Sequence, residues 1–323
     1  MMSRYWILAF ILCAYSLKTG FSQIQGNIIL ERYEKSKLNV DFDSENARIL
    51  SVQKYNDAID SLNENPDSKE LLYYRAMCHY INSQAYKAFE DISIYLKQPG
   101  ANGYYANLLL AKIEYLRLKK FQAIEALDRA MAMEPGKPLA YIEKSRIYAL
   151  TGNTDEGLSF INRQLKRFPD QASFYLFRGL LMQYSQNEKK AIQDISIYLS
   201  SGQLSNKSDL ILAHFNLAQC YTSIKDYGKA LVQVNKGLEM FPDYSPGYGV
   251  RGEIYFYLKD YRAALNDFLV MEERYKSSAY FGMQGFIYEN LGELAMACQY
   301  YTEACNLAPM SKECAKVRKL RCK

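Results

Sequence analysis

The stretch FGMQGFIYENLGELAMACQYYTEACNLAP, residues 281–309, decides the fold. Gly285 and Ala297 stand twelve residues apart, Tyr288 follows the first by three, Gly292 interrupts the middle and Pro309 closes the end. Apolar residues recur between these marks at helical spacing. The stretch therefore reads as two helices of about 13 residues each, with small residues where they cross. The same twelve-residue spacing of small residues runs upstream through Gly252/Ala264, Ala218/Ala230, Gly179/Ala191, Ser145/Gly157, Ala111/Ala123 and Ala76/Ala88. From the N-terminal pair onward, the first members lie 35, 34, 34, 39, 34 and 33 residues apart. Tyr148, Tyr221 and Tyr255 take the place of Tyr288, and Tyr141, Tyr175 and Tyr248 that of Phe281. Pro135, Pro169 and Pro242 match Pro309, each ending a second helix by removing a donor and clashing with the preceding turn. A period in the thirties marks stacked supersecondary units that share one continuous core.

On these residues the chain resembles the tetratricopeptide repeat (TPR) family over roughly residues 69–311. The resemblance implies an all-α fold, a right-handed superhelical solenoid of about seven helix-turn-helix repeats with terminal capping helices. Repeats occupy residues 69–310, with one N-terminal capping helix over 44–68 and a C-terminal one over 311–323. Residues 23–43 have weak periodicity and read as a loosely ordered segment. The pattern departs from the family at His79 and Glu114 in the tyrosine column, and at Asn107 and Leu72 in the other aromatic column. DISIYL occurs at both 91–96 and 194–199, which suggests duplication of a three-repeat block.

Composition narrows the function. The 323 residues carry a formal net charge of +5 and no concentrated basic stripe, so no nucleic-acid partner is expected. His79 and His214 are the only histidines, which leaves little for acid–base or zinc chemistry; no metal and no cofactor are expected. G-x-x-x-x-G-K-[ST], H-E-x-x-H and G-x-S-x-G are all absent, and EPGKP at 134–138 lacks the essentials of a phosphate loop. No catalytic residue is assigned, and the chain reads as a non-enzyme. Residues 1–22 combine Arg4, an apolar run over 5–17 and small residues before Gln23, the layout of a secretory signal peptide. A retained anchor is the alternative; the run would span about 20 Å of a roughly 30 Å hydrocarbon core. No membrane insertion of the mature chain is expected. Export would place it in a periplasmic or extracellular compartment, or in association with the envelope.

Arginine precedes the first small residue in three repeats only, as Arg75, Arg178 and Arg251. Sixteen residues later stand Asp91, Asp194 and Asp267, and the other repeats have neither partner. This pattern predicts a bidentate salt bridge between the two helices of each of these repeats; three unrelated exposed charges are the alternative. Of the cysteines, Cys78 and Cys220 occupy equivalent places in distant repeats and read as buried thiols. An antiparallel helix pair turning near 309–311 sets Cys305 opposite Cys314 and Cys298 opposite Cys322, predicting two disulfides; small buried residues are the alternative.

A TPR array implies a concave face lined by the first helices, used to bind a protein or peptide. The family's groove columns fall here on Tyr73, Met77, Tyr80, Lys112, Tyr115, Ile142, Arg146, Leu176, Leu180, Gln183, Phe215, Gln219, Glu253, Phe256, Phe286 and Glu289. Lys112 and Arg146, from adjacent repeats, would grip a carboxylate or else pair locally with Glu114 or Glu143. The function this implies is a protein-interaction scaffold. An accessory subunit of an envelope assembly or secretion complex, or a carbohydrate-binding module using the groove aromatics, remain alternatives. The longer inter-repeat stretch SSGQLSNKSD, residues 200–209, reads as a surface insertion.

Overall fold

The computed structural model describes residues 69–101, 103–202, 207–272, 276–309, 311–320 and 322. The expected signal peptide, the 23–43 segment and the N-terminal capping helix lie outside these residues. Among the described residues there are helices and no strand: α1 Lys69–Ile81, α2 Ala85–Lys97, α3 Gly103–Leu116, α4 Lys120–Met133, α5 Leu139–Thr151, α6 Thr154–Arg167, α7 Ala172–Tyr184, α8 Glu188–Ser200, α9 Lys207–Ser223, α10 Tyr227–Met240, α11 Ser245–Tyr257, α12 Tyr261–Glu272, α13 Ser278–Asn290, α14 Leu294–Leu307 and α15 Lys312–Lys319. Successive pairs from α1/α2 to α13/α14 are the seven repeats, an all-α array of TPR-type helix hairpins, and α15 follows as a cap.

Small residues let each hairpin close. Ala76, Ala88, Ala111 and Ala123 are fully buried or nearly so. A Cβ at Gly252 would meet the Phe268 ring at 2.7 Å, and one at Gly285 the Tyr301 ring at 2.7 Å. The turn within each repeat relies on one left-handed residue: Ser83, Leu118, Gly152, Gln186, Lys225, Lys259 and Gly292, with φ between 58° and 79°. Only two of the seven are glycine. The second helices of four repeats stop two residues before a proline. Glu134, Phe168, Phe241 and Ala308, each preceding that proline, take φ from −130° to −141° and ψ from 66° to 82°. Pro Cδ forbids the helical region to its predecessor, so these ends are set by sequence.

Two compact units emerge: residues up to Asn187 with 193–209, and Glu188–Ile192 with everything from Leu210 onward. In the first unit the core is built on residues such as Tyr74, Met77, Ile92, Tyr95, Leu109 and Leu127, all with almost no exposure. In the second, Phe215, Tyr244, Ile254 and Phe268 are equally buried. Each unit thus buries apolar side chains along its own repeats.

Candidate functional site

The charges that tie helices together come first, because they define which polar groups are already engaged. Arg75 Nε and Nη2 donate to Asp91 Oδ2 and Oδ1, both at 2.8 Å. Arg178 donates in the same way to Asp194 at 2.7 and 2.8 Å, and Arg251 to Asp267 at 2.8 Å twice. All three aspartates are buried. Two of the arginines reach further: the third nitrogen of Arg178 donates to Asn162 Oδ1 and that of Arg251 to Asn235 Oδ1, each at 3.1 Å. Both asparagines lie sixteen residues before the arginine, on the second helix of the preceding repeat. Lys144 uses the same backward spacing to reach Asp128 Oδ1 at 2.6 Å. This second link, sixteen residues upstream, was present in the sequence as a spacing but masked by the mixture of Asn and Asp.

Beside the C-terminal cap, Cys298 stands 5.3 Å from Cys322 and Cys305 4.8 Å from Cys314, measured between Cα atoms, with the sulfurs at bonding distance. Lys316 of α15 donates to both Glu289 oxygens at 2.8 and 2.9 Å, and Tyr301 donates to Glu289 Oε2 at 2.7 Å. These bonds hold the Glu289 carboxyl below its usual range. Glu289, expected in the groove, is instead engaged by the cap. Cys78 and Cys220 are buried free thiols, and burial pushes the Cys220 thiol up to about 12.

Among the expected groove residues, Tyr73, Met77, Ile142, Leu176, Leu180 and Phe215 are buried within the chain. Phe215 shows the reason. A Cβ on Gly237 or Gly247 would strike its ring at 2.8 or 2.5 Å, so the ring fills hollows left by glycines on α10 and α11. Tyr73 packs on Tyr95 with ring centroids 5.2 Å apart. Tyr80, Gln183 and Gln219 are half-buried at the edge of the face.

In the first unit, Lys112, Tyr115, Glu143 and Arg146 line a shallow cleft with Ala111, Leu127, Ile147 and Leu150. Lys112 Nζ lies 3.5 Å from Glu143 Oε1, and Arg146 Nε donates to Glu143 Oε2 at 3.2 Å. Arg146 also grips the Asp209 carboxylate through both terminal nitrogens, one of them at 3.2 Å. Asp209 is 1% exposed and lies in the first turn of α9. The carboxylates held by this basic pair therefore belong to the chain itself, Glu143 from the same helix and Asp209 from the end of the longer inter-repeat stretch. Glu143 was legible three residues before Arg146; Asp209, 63 residues away, carried no local signal. Burial raises the Tyr115 phenol to about 12, opposed in part by Arg146.

In the second unit the face is aromatic. Phe256 meets Phe286 at 5.5 Å between centroids, near-perpendicular, and contacts Tyr257 and Tyr261 at 5.7 and 6.3 Å. Phe286 is 38% and Tyr257 46% exposed. Glu253, one turn before Phe256 and Tyr257, is half-buried beside them, and burial pushes its carboxyl above the ordinary value. The Tyr257 hydroxyl donates to Glu253 Oε1 at 3.4 Å.

Both histidines are engaged: His79 Nδ1 is 2.7 Å from Gln84 Oε1, and His214 Nδ1 is 3.1 Å from Gln233 Oε1. Burial lowers the pKa of each. Among the described residues no three His, Cys, Asp or Glu side chains come together as a metal site. No helix among them is long and apolar enough to cross a membrane.

The tetratricopeptide repeat family model matches residues 211–244 and 278–309. A TPR repeat-containing protein of Methanocaldococcus jannaschii is 22% identical over 312 residues, covering 89% of this chain and 53% of its own length. Response regulator aspartate phosphatase I of Bacillus subtilis is 24% identical over 229 residues, covering 61% of this chain and 57% of its own length. The chain thus spans a little over half the length of these curated relatives. Among solved structures, the Cut9–Hcn1 assembly of the APC/C matches with a TM-score of 0.65 at 16% identity, covering 90% of this chain and 59% of that one. PilW, a type IV pilus biogenesis factor, matches with a TM-score of 0.58 at 17% identity, covering 67% of this chain and 98% of that one.

Proposed function

We propose that the chain, an all-α array of TPR-type helix hairpins, is a non-catalytic scaffold binding a partner protein or peptide on the face of its first helices. The observation that carries the reading is the uncovered aromatic cluster of the second unit. Phe256, Tyr257 and Phe286 sit together on α11 and α13, with one ring more than a third exposed and another nearly half. Buried core tyrosines account for the repeat; these rings are not needed to close it. Aromatic anchors of this kind dominate protein-recognition surfaces. The engaged state of both histidines supports the absence of a catalytic role. For α15, Val317 and Leu320 are half-buried and the exposed positions are mostly charged, which weighs against docking on a neighbour through an apolar cap.

The proposal includes export directed by residues 1–22, with disulfides Cys298–Cys322 and Cys305–Cys314 formed in an oxidising compartment. Affinity capture from envelope extracts tests both parts. Wild type is expected to recover a partner that the Phe256→Ala/Phe286→Ala variant loses by tenfold or more, and the recovered chain to begin at Gln23. Equal recovery by the two proteins sinks the binding face; an intact Met1 in the extracted protein sinks the cleaved signal.

A further inference from the structure

We propose that Glu253, with the rings of Phe256 and Phe286, is a receptor for a basic side chain, arginine or lysine, of the bound partner. This rests on the scaffold reading above and names the chemistry it recognises. Glu253 and Phe256 are three residues apart on α11 and so share a face. Phe286 reaches across from α13 to set its ring against that of Phe256, 5.5 Å away. The Tyr257 hydroxyl closes the remaining side, 3.4 Å from Glu253 Oε1.

Three other carboxylates around the first helices are paired. Asp209 is held by Arg146, Glu143 by Arg146 and Lys112, and Glu289 by Lys316. Among the described residues no lysine, arginine or histidine pairs with Glu253. Among the described residues the Tyr257 hydroxyl is the group that favours its anion, and burial outweighs it. A carboxylate placed among rings and left without a cation costs stability that glutamine or leucine would not. What it gains is selectivity. A guanidinium or ammonium entering there meets the negative charge and the electron-rich ring faces together, and each favours the other. An anionic ligand would be repelled, and sugar hydroxyls would offset only part of the buried charge.

Fluorescence titration of the full chain with a labelled octapeptide, one arginine flanked by leucines, tests the proposal against the same peptide carrying neutral citrulline. The arginine peptide is expected to bind about tenfold more tightly, an increment the size of one charge-assisted hydrogen bond. In Glu253→Gln the two peptides should bind alike, with the far-ultraviolet circular dichroism unchanged. The same variant should melt about 2–4 °C higher, because it removes an uncompensated charge. Equal affinities in wild type, or no binding of either peptide, overturn the receptor. So does a lowered melting temperature in Glu253→Gln, which would make the carboxylate structural. Displacement of the peptide by maltohexaose but not by acetyl-arginine amide would assign the rings to sugar and also overturn it. None of these results touches the scaffold reading, which falls only if the aromatic double variant captures partners as wild type does.

Discussion

Leu118 sits in the left-handed region at φ 60° with its side chain 81% exposed. An L-residue there pays about 1–2 kcal/mol relative to the right-handed region, and Leu118 buries little surface in return. Glycine pays no such penalty but loses about 0.4–1 kcal/mol through the greater freedom of its unfolded chain. Leu118→Gly is therefore expected to stabilise the protein by roughly 0.5–1 kcal/mol. Gly152→Ala should do the reverse: its φ of 64° is strained for alanine, and its new Cβ would stand 3.3 Å from the Tyr184 ring. Urea unfolding of both variants checks the pair, and a Leu118→Gly midpoint at or below wild type would refute the account. The sequence marks only Gly152 and Gly292 as turn residues. The other five are held left-handed by the helices on either side, a tertiary constraint that no local residue preference reports.

Helices are joined here by two kinds of element-scale device, and they differ in how far the sequence displays them. The sixteen-residue Arg–Asp spacing recurs three times in register and is visible without coordinates. Its backward extension to Asn162, Asn235 and Asp128 is not, since two residue types fill one structural place and lysine replaces arginine in one repeat. The cysteines of α14 and α15 are legible because a short antiparallel turn fixes which positions face each other. Their proposed bonds close loops of 24 and 9 residues by sequence separation. Loops of this order restrict the unfolded chain by about 2–4 kcal/mol each in the chain-entropy view. The Glu289–Lys316 contact and the burial of Cys314 depend on α15 remaining docked. Reductant is thus expected to lower the melting temperature and to expose the linker before α15 to protease, while intact mass without reductant reports four missing hydrogens. Full thiol titre in the untreated protein would refute the two bonds. Groove membership was the least legible feature at this scale. Tyr73, Leu176 and Phe215 are large and apolar like Phe286, and what separates them is whether the next repeat supplies a hollow, as Gly237 and Gly247 do for Phe215.

Across the whole molecule the tyrosines set an alkaline limit on the fold. The chain has 29, and the period places many of them in the seams of the two units. Burial raises the Tyr104 and Tyr115 phenols to about 12 and the Tyr73 phenol well above its ordinary value. Tyr148 and Tyr198 are raised further still, Tyr148 also donating to Glu156 at 2.8 Å. In the unfolded chain the same phenols ionise near 10. Between about pH 10 and 12 the folded state therefore holds more protons than the unfolded one, and stability falls as pH rises through that window. Below it, this contribution is fully present. Absorbance at 295 nm should show exposed tyrosines ionising near pH 10, then the remainder in one steep step that coincides with loss of helical circular dichroism. A single shallow titration centred near 10 with the helices intact would contradict the buried seam. The coincidence matters more than the midpoint, because cooperative release of many phenols requires that each unit's repeats share one core rather than fold hairpin by hairpin.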